Sequence, residues 1–182
     1  SDNSATLSIG STVAVTPVND APALVSRPKP GYTEGETDYA LLDRRIGYTD
    51  EDSSTFSFVT ISITDNFHAN ADVLSFTNDD VTQLGNITGS YNAATGVLTL
   101  TSEGATATVA QFNNAIREVI FSNTSDNPIT GTRTITHVAN DGTDSSTPVI
   151  TTTGVKAVND APTTNSDDGY INTGASLGTA DL

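Results

Sequence analysis

The pentapeptide Val18-Asn19-Asp20-Ala21-Pro22 returns, residue for residue, as Val158-Asn159-Asp160-Ala161-Pro162. From Asn19 to Asn159 is an offset of 140 residues, the size of one globular domain. An apolar run precedes each copy: Val13-Ala14-Val15-Thr16-Pro17 before the first, Gly154-Val155-Lys156-Ala157 before the second. A run of this kind, stopped by Asn-Asp and then Pro, reads as the end of a strand followed by a stiff joint. Pro fixes φ and holds the residue before it extended, while Asn and Asp favour turns and supply oxygen ligands. Residues 1–18 are therefore expected to be the end of a preceding module or an added strand. Residues 19–160 form one whole module, and residues 161–182 begin the next.

A repeat of this length can bury about two-thirds of its unfolded surface, so a real core is available. Charge then removes several classes of partner. With 22 acidic against 7 basic residues the net charge is −15, the wrong sign for nucleic acid, whose phosphates need Lys and Arg, and for anionic membrane surfaces. Direct membrane contact is not expected, since no apolar run is long enough to span a bilayer. Divalent cations suit such a surface. Cys, Met and Trp are absent, and a small extracellular domain without disulfides needs either a good core or metal staples.

Short alternating runs dominate the chain. Pro22 to Arg27 fits an edge strand, interrupted by Pro28, Pro30 and Gly31. Tyr39 to Asp50 follows, with Leu42, Ile46 and Tyr48 on one face. In Phe56 to Thr64, Val59, Ile61 and Ile63 point one way and Thr60, Ser62 and Thr64 the other. Val73 to Phe76 is shorter. Ile87–Tyr91 and Val97–Leu100 flank Asn92-Ala93-Ala94-Thr95-Gly96, a hairpin loop. One helix is predicted, opened by the capping-box spacing of Thr108 and Gln111, striped by Val109, Phe112 and Ile116, and ended by Glu118 before strand-like Val119-Ile120-Phe121. Thr132–Val138 and Pro148–Val158 are the last two strands. The sum is an all-β chain, an antiparallel β-sandwich with one short helix inserted before the last two strands.

Strand order in a sandwich carries three acidic segments to one end: the first joint (Asn19, Asp20), the loop with Asp50-Glu51-Asp52, and the loop with Asn140-Asp141-Gly142-Thr143-Asp144. Two carboxylates about 4 Å apart repel by about 4 kcal/mol at an effective dielectric near 20. A bare cluster is costly, but oxygens in such numbers suit Ca²⁺, more than Mg²⁺, which keeps its waters. Asp65-Asn66, Asn70 to Asp72 and Asn78 to Asp80 read as turns and a helical cap. His68 and His137, without Cys or a second His at ligand spacing, do not suggest zinc. No nucleophile elbow or catalytic carboxylate pair is present, so an enzyme is not expected.

The loops and joints together resemble the cadherin repeat. Ala139-Asn140-Asp141-Gly142, a β-run and then Val-Asn-Asp-Ala-Pro are similar to its closing segment; Asp50-x-Asp52 and Glu34-Gly35 stand at matching distances after the joint. The chain is more similar still to the cadherin-like tandem modules of large RTX-type adhesins that bacteria export by type I secretion, which share such joints and runs like Gly96-Val97-Leu98-Thr99-Leu100. The resemblance implies an Ig/cadherin-like sandwich and a calcium-rigidified extender at the bacterial cell surface. It implies Asn19, Asp20, Asp50, Asp52 and Asp141 as calcium ligands at the first joint, and Glu34 with Asn159 and Asp160 at the second. Pro17, Ala157, Ala21 and Ala161 occupy positions where cadherin joints carry ligands, which implies fewer ions per joint. Residues 165–170 look like the first strand of an Ig-like repeat. The implied partners are neighbouring modules of the same chain, with any glycan or protein ligand bound elsewhere in the full-length protein. The other reading is a calcium-dependent domain that itself binds carbohydrate or peptide.

Overall fold

The computed structural model describes residues 18–25, 32–34, 40–41 and 46–160. The expectations for residues 1–17 and 161–182, and for Leu42, lie outside the described residues. Among the described residues eleven strands and two α-helices follow one another: β1 (Ala23–Val25), β2 (Tyr32–Thr33), β3 (Ala40–Leu41), β4 (Gly47–Thr49), β5 (Phe58–Asp65), β6 (Asp72–Ser75), α1 (Val81–Leu84), β7 (Ile87–Asn92), β8 (Val97–Ser102), α2 (Val109–Arg117), β9 (Ile120–Asn123), β10 (Gly131–Asn140) and β11 (Val149–Lys156). The six-stranded sheet runs β2-β11-β10-β5-β8-β7, a second runs β3-β9-β6, and β1 pairs with β4. Every pairing is antiparallel except that of β2 with β11. The architecture is mostly antiparallel β with little helix, consistent with the sandwich that alternation predicts.

That alternation builds the core directly. Val59, Ile61 and Ile63 of β5, Leu98 and Leu100 of β8, and Ile135 and Ala139 of β10 turn inward. They join Leu74 and Phe121 of the smaller sheet and Phe112, Ala115 and Ile116 of α2 in one buried cluster. Tyr48 meets Phe56 edge-on at 5.7 Å, and Phe56 meets Phe112 at 5.8 Å. The hairpin turn between β7 and β8 closes on Gly96, at φ +71 with the Phe67 ring 3.0 Å from where a Cβ would stand. That is a position for Gly on both counts.

Helix α2 is capped as its sequence predicts: Thr108 accepts from the Gln111 N–H, and the Gln111 side chain accepts from the Thr108 N–H. Its further task is to close a strand edge. Asn113 takes the Tyr48 N–H at 2.7 Å and donates to the Tyr48 carbonyl at 3.0 Å, while Arg117 Nε donates to the Ile46 carbonyl. Side chains thus supply the backbone partners that a neighbouring strand would give β4.

The strand-like run after α2 is a full strand, Ile120–Asn123, held between β3 and β6 ahead of the last two. The sequence expectations need two corrections. A second, one-turn helix stands at Val81–Leu84, with Asp80 accepting from Thr82 and Gln83 N–H. Asp72 is not a turn residue: it starts β6 and is fully buried. Its carboxylate receives Arg133 Nε at 2.8 Å and Nη2 at 3.3 Å, Asn123 Nδ2 at 2.6 Å and the His68 N–H at 2.7 Å. Arg133, itself fully buried on β10, also donates to the Ile129 carbonyl. An ion pair therefore clasps one sheet to the other, with its charges hydrogen-bonded as burial demands. The Tyr91 hydroxyl donates to the Asp72 carbonyl, and its pKa is pushed up to about 12 by burial and by the Asp72 charge.

Candidate functional site

Two acidic loops are built by the same local chemistry. Asp50 Oδ1 accepts from the Asp52 and Ser53 N–H groups at 3.2 and 2.7 Å. Asp141 Oδ1 accepts from the Thr143 and Asp144 N–H groups at 2.7 and 2.8 Å. Each is an Asx turn, in which a short carboxylate ties the two or three residues after it. Gly142, at φ +108, lets the second loop double back, so that the Ser146 N–H reaches the Ala139 carbonyl.

The first joint lies across both loops. Asn19 Nδ2 donates to Asp141 Oδ2 at 2.9 Å and to Asp144 Oδ2 at 3.0 Å. The Asp20 N–H donates to Asp52 Oδ2 at 3.1 Å. Asp20, Asp50 and Glu51 line one hollow of about 330 Å³ together with Ala21, Ala23 and Thr49. So Asn19, Asp20, Asp50, Asp52 and Asp141, drawn from three distant segments, meet at one end of the sheets. Sequence reasoning left Asp144 out of the set, although it sits in the same loop; the Asp141-x-x-Asp144 spacing is the signal that could have found it.

Electrostatics at this end are balanced by donors. Partial desolvation pushes the Asp141 carboxyl up, but hydrogen bonds from Asn19 and from backbone N–H groups outweigh it and hold the pKa below the usual carboxylate range. Among the described residues no three His, Cys, Asp or Glu side chains form a group that could hold a metal ion as they stand. The Asn19 amide and the Asp20 N–H lie among the carboxylates instead. One oxygen is left over: Asp50 Oδ2 is buried without a hydrogen-bond partner. An orphaned carboxylate oxygen beside a hollow lined by two further acids fits an oxygen-liking cation, so the donor set is compatible with Ca²⁺.

The second joint repeats part of this pattern. Asn159 Nδ2 donates to the Asp160 carbonyl at 3.1 Å, as Asn19 Nδ2 does to the Asp20 carbonyl at 3.4 Å. Glu34 stands beside it, its N–H on the Lys156 carbonyl at 3.0 Å and its Oε2 accepting from the Val158 N–H at 2.6 Å. The parallel pairing of β2 with the last residues of β11 carries Glu34 there. Asn159 and Asp160 are exposed. The length of β11 separates the two joints, and an eight-residue strand spans roughly 25 Å; the eight proposed residues are therefore two groups, five at one end and three at the other. His137 faces the core, fully buried, with Nε2 2.9 Å from Thr151 Oγ1. Asn86 is tied to the Glu103 carbonyl and to Ser102, and Asn123 is buried. Compared with known protein families and with curated proteins, the chain matches no family model and no curated sequence.

Proposed function

We propose that this chain is a calcium-binding extender module of a bacterial cell-surface adhesin, an Ig/cadherin-like sandwich whose joints Ca²⁺ makes rigid. One observation carries the reading: the first copy of the duplicated Asn-Asp joint, Asn19-Asp20, is bonded to acidic loops from two other parts of the chain, at Asp52 on one side and Asp141 and Asp144 on the other. The residues that would hold the ion at the first joint are Asn19, Asp20, Asp50, Asp52 and Asp141, with Asp144 added. At the second joint they are Glu34, Asn159 and Asp160, with loops of the following module.

Bound calcium would neutralise carboxylates that otherwise repel one another. The work of the chain's own residues is mechanical. The Asx turns hold Asp50 and Asp141 in place, and Asn19 links the linker to the loop of Asp141 and Asp144. Pro22, buried beside the joint, restricts the backbone that leaves it. Extracellular calcium modules bind at about 10⁻⁴–10⁻³ M, so external calcium would fill such sites and cytosolic calcium would not.

Thermal unfolding followed by circular dichroism tests this. At a calcium concentration about 100 times Kd, one site adds about 2.7 kcal/mol, and the melting temperature in calcium should exceed that in EGTA by several degrees. Asp52→Ala and Asp141→Ala should each abolish most of that shift. Equal melting temperatures in EGTA and in excess calcium would end the proposal.

A further inference from the structure

The outer face of the six-stranded sheet differs in chemistry from the rest of the molecule. Alternation along β5, β8 and β10 turns Thr60 and Ser62, Thr99 and Thr101, and Thr134 and Thr136 away from the core, and none of them is buried. Register sets them side by side, Thr60 opposite Thr99 and Ser62 opposite Thr136. Neighbouring hydroxyls touch: Thr64 and Thr136 at 2.9 Å, Thr88 and Thr101 at 3.2 Å. Of the residues in the sheet's strands, only Asp65, Arg133 and Lys156 carry formal charge, and Arg133 is buried inward while Asp65 and Lys156 end their strands. A chain with 22 acidic residues thus places one of them on this face, Asp65 at its edge opposite Thr134, and leaves the strands' middle residues there uncharged.

We propose that this face docks a neutral, linear, hydroxyl-rich polysaccharide. A hydroxyl both donates and accepts, so a grid of them pairs with sugar hydroxyls in either sense. The grid repeats at about 4.8 Å across strands and roughly 6.8 Å along them, which suits a repeating polymer. Half-buried Phe58 and Val138, opposite Thr101 and Thr60 in the same register, offer apolar ground for sugar C–H faces. An acidic polymer meets the repulsion of a −15 protein. A second copy would meet the same repulsion, and packing sheet on sheet would bury hydroxyls without apolar interdigitation.

Affinity electrophoresis in native gels containing hydroxyethyl cellulose, xyloglucan or dextran, with polygalacturonate as the charged counter-probe, tests the proposal. At least one neutral polymer should retard the chain, and polygalacturonate should not. The double variant Thr60→Val, Thr136→Val keeps shape and strand preference and, with an unchanged melting temperature, should weaken binding at least tenfold. No retardation by any of the three neutral polymers overturns the proposal, as do undiminished binding by the double variant and equal retention by polygalacturonate. A dimer in sedimentation velocity that the double variant abolishes would also overturn it, by giving the face to a second copy. Retardation should be the same in EGTA and in calcium, so this result and the calcium result at the joints fail or succeed separately.

Discussion

Arg133 and Asp72 illustrate how a single buried pair can tie two layers of sheet together. Both are fully buried, and Asp72 accepts from Arg133, Asn123 and the His68 N–H. Removing one partner leaves the other charge uncompensated, so Asp72→Asn or Arg133→Met should each cost about 3–5 kcal/mol in urea unfolding. Replacing the pair together with apolar residues of similar volume should recover most of that loss; a double variant as unstable as the singles would refute the account. The strand that carries Arg133 was legible as Thr132–Val138, but its facing was not, since Arg133 and His137 share a face with Ile135 and Ala139 while apolar Val138 stands on the other. Nor was the partner of Arg133, since Asp72 lies 61 residues away and an Asp beside Asn reads as a turn. Asp141 makes a different prediction. Its pKa is lowered, so its contribution is present above the unfolded-state value and is lost as pH falls through the folded one. The Asn19 side-chain amide resonances should therefore stay in place as ordinary carboxylates titrate, and shift only at more acidic pH. Movement together with the exposed carboxylates would contradict the hydrogen bonding described.

Helix α2 shows how much of an element is written locally. Its start at Thr108 and Gln111, its apolar stripe and its end at Glu118 all follow from residues within the segment. Its role as the edge partner of β4 does not, because Asn113 meets Tyr48 across 65 residues. Asn113→Ala should cost about 1–3 kcal/mol, the price of leaving a partly buried N–H and C=O unpaired, and hydrogen exchange at the Tyr48 amide should accelerate. An unchanged Tyr48 amide would show that water or another group serves it equally well. Strands β5, β8, β10 and β11 were readable from period-two alternation, with ends shifted by a few residues. Tyr39 to Asp50 was read as one run, whereas β3 and β4 within it pair in different sheets, and two-residue β2 was not read at all, because so short a stretch carries no period and pairing alone creates it.

Across the whole molecule, convergence of the Asn19, Asp52 and Asp141 segments was legible because strand order alone assigns each loop to an end. The bonds among them, and the place of Asp144, depend on side-chain geometry that no spacing encodes. The same geometry has a consequence for force. Asn19 is fastened to Asp141 and Asp144, in the loop that leads into β11, and the described chain runs on from the far end of β11 past Lys156 and Glu34. Tension pulling on the two joints thus has a short track, from linker to loop and along one strand, with β10 beside it. Of the apolar core cluster, that track carries Val155 alone. Stretching such a chain would strain a strand and two small polar clasps before it reached the core.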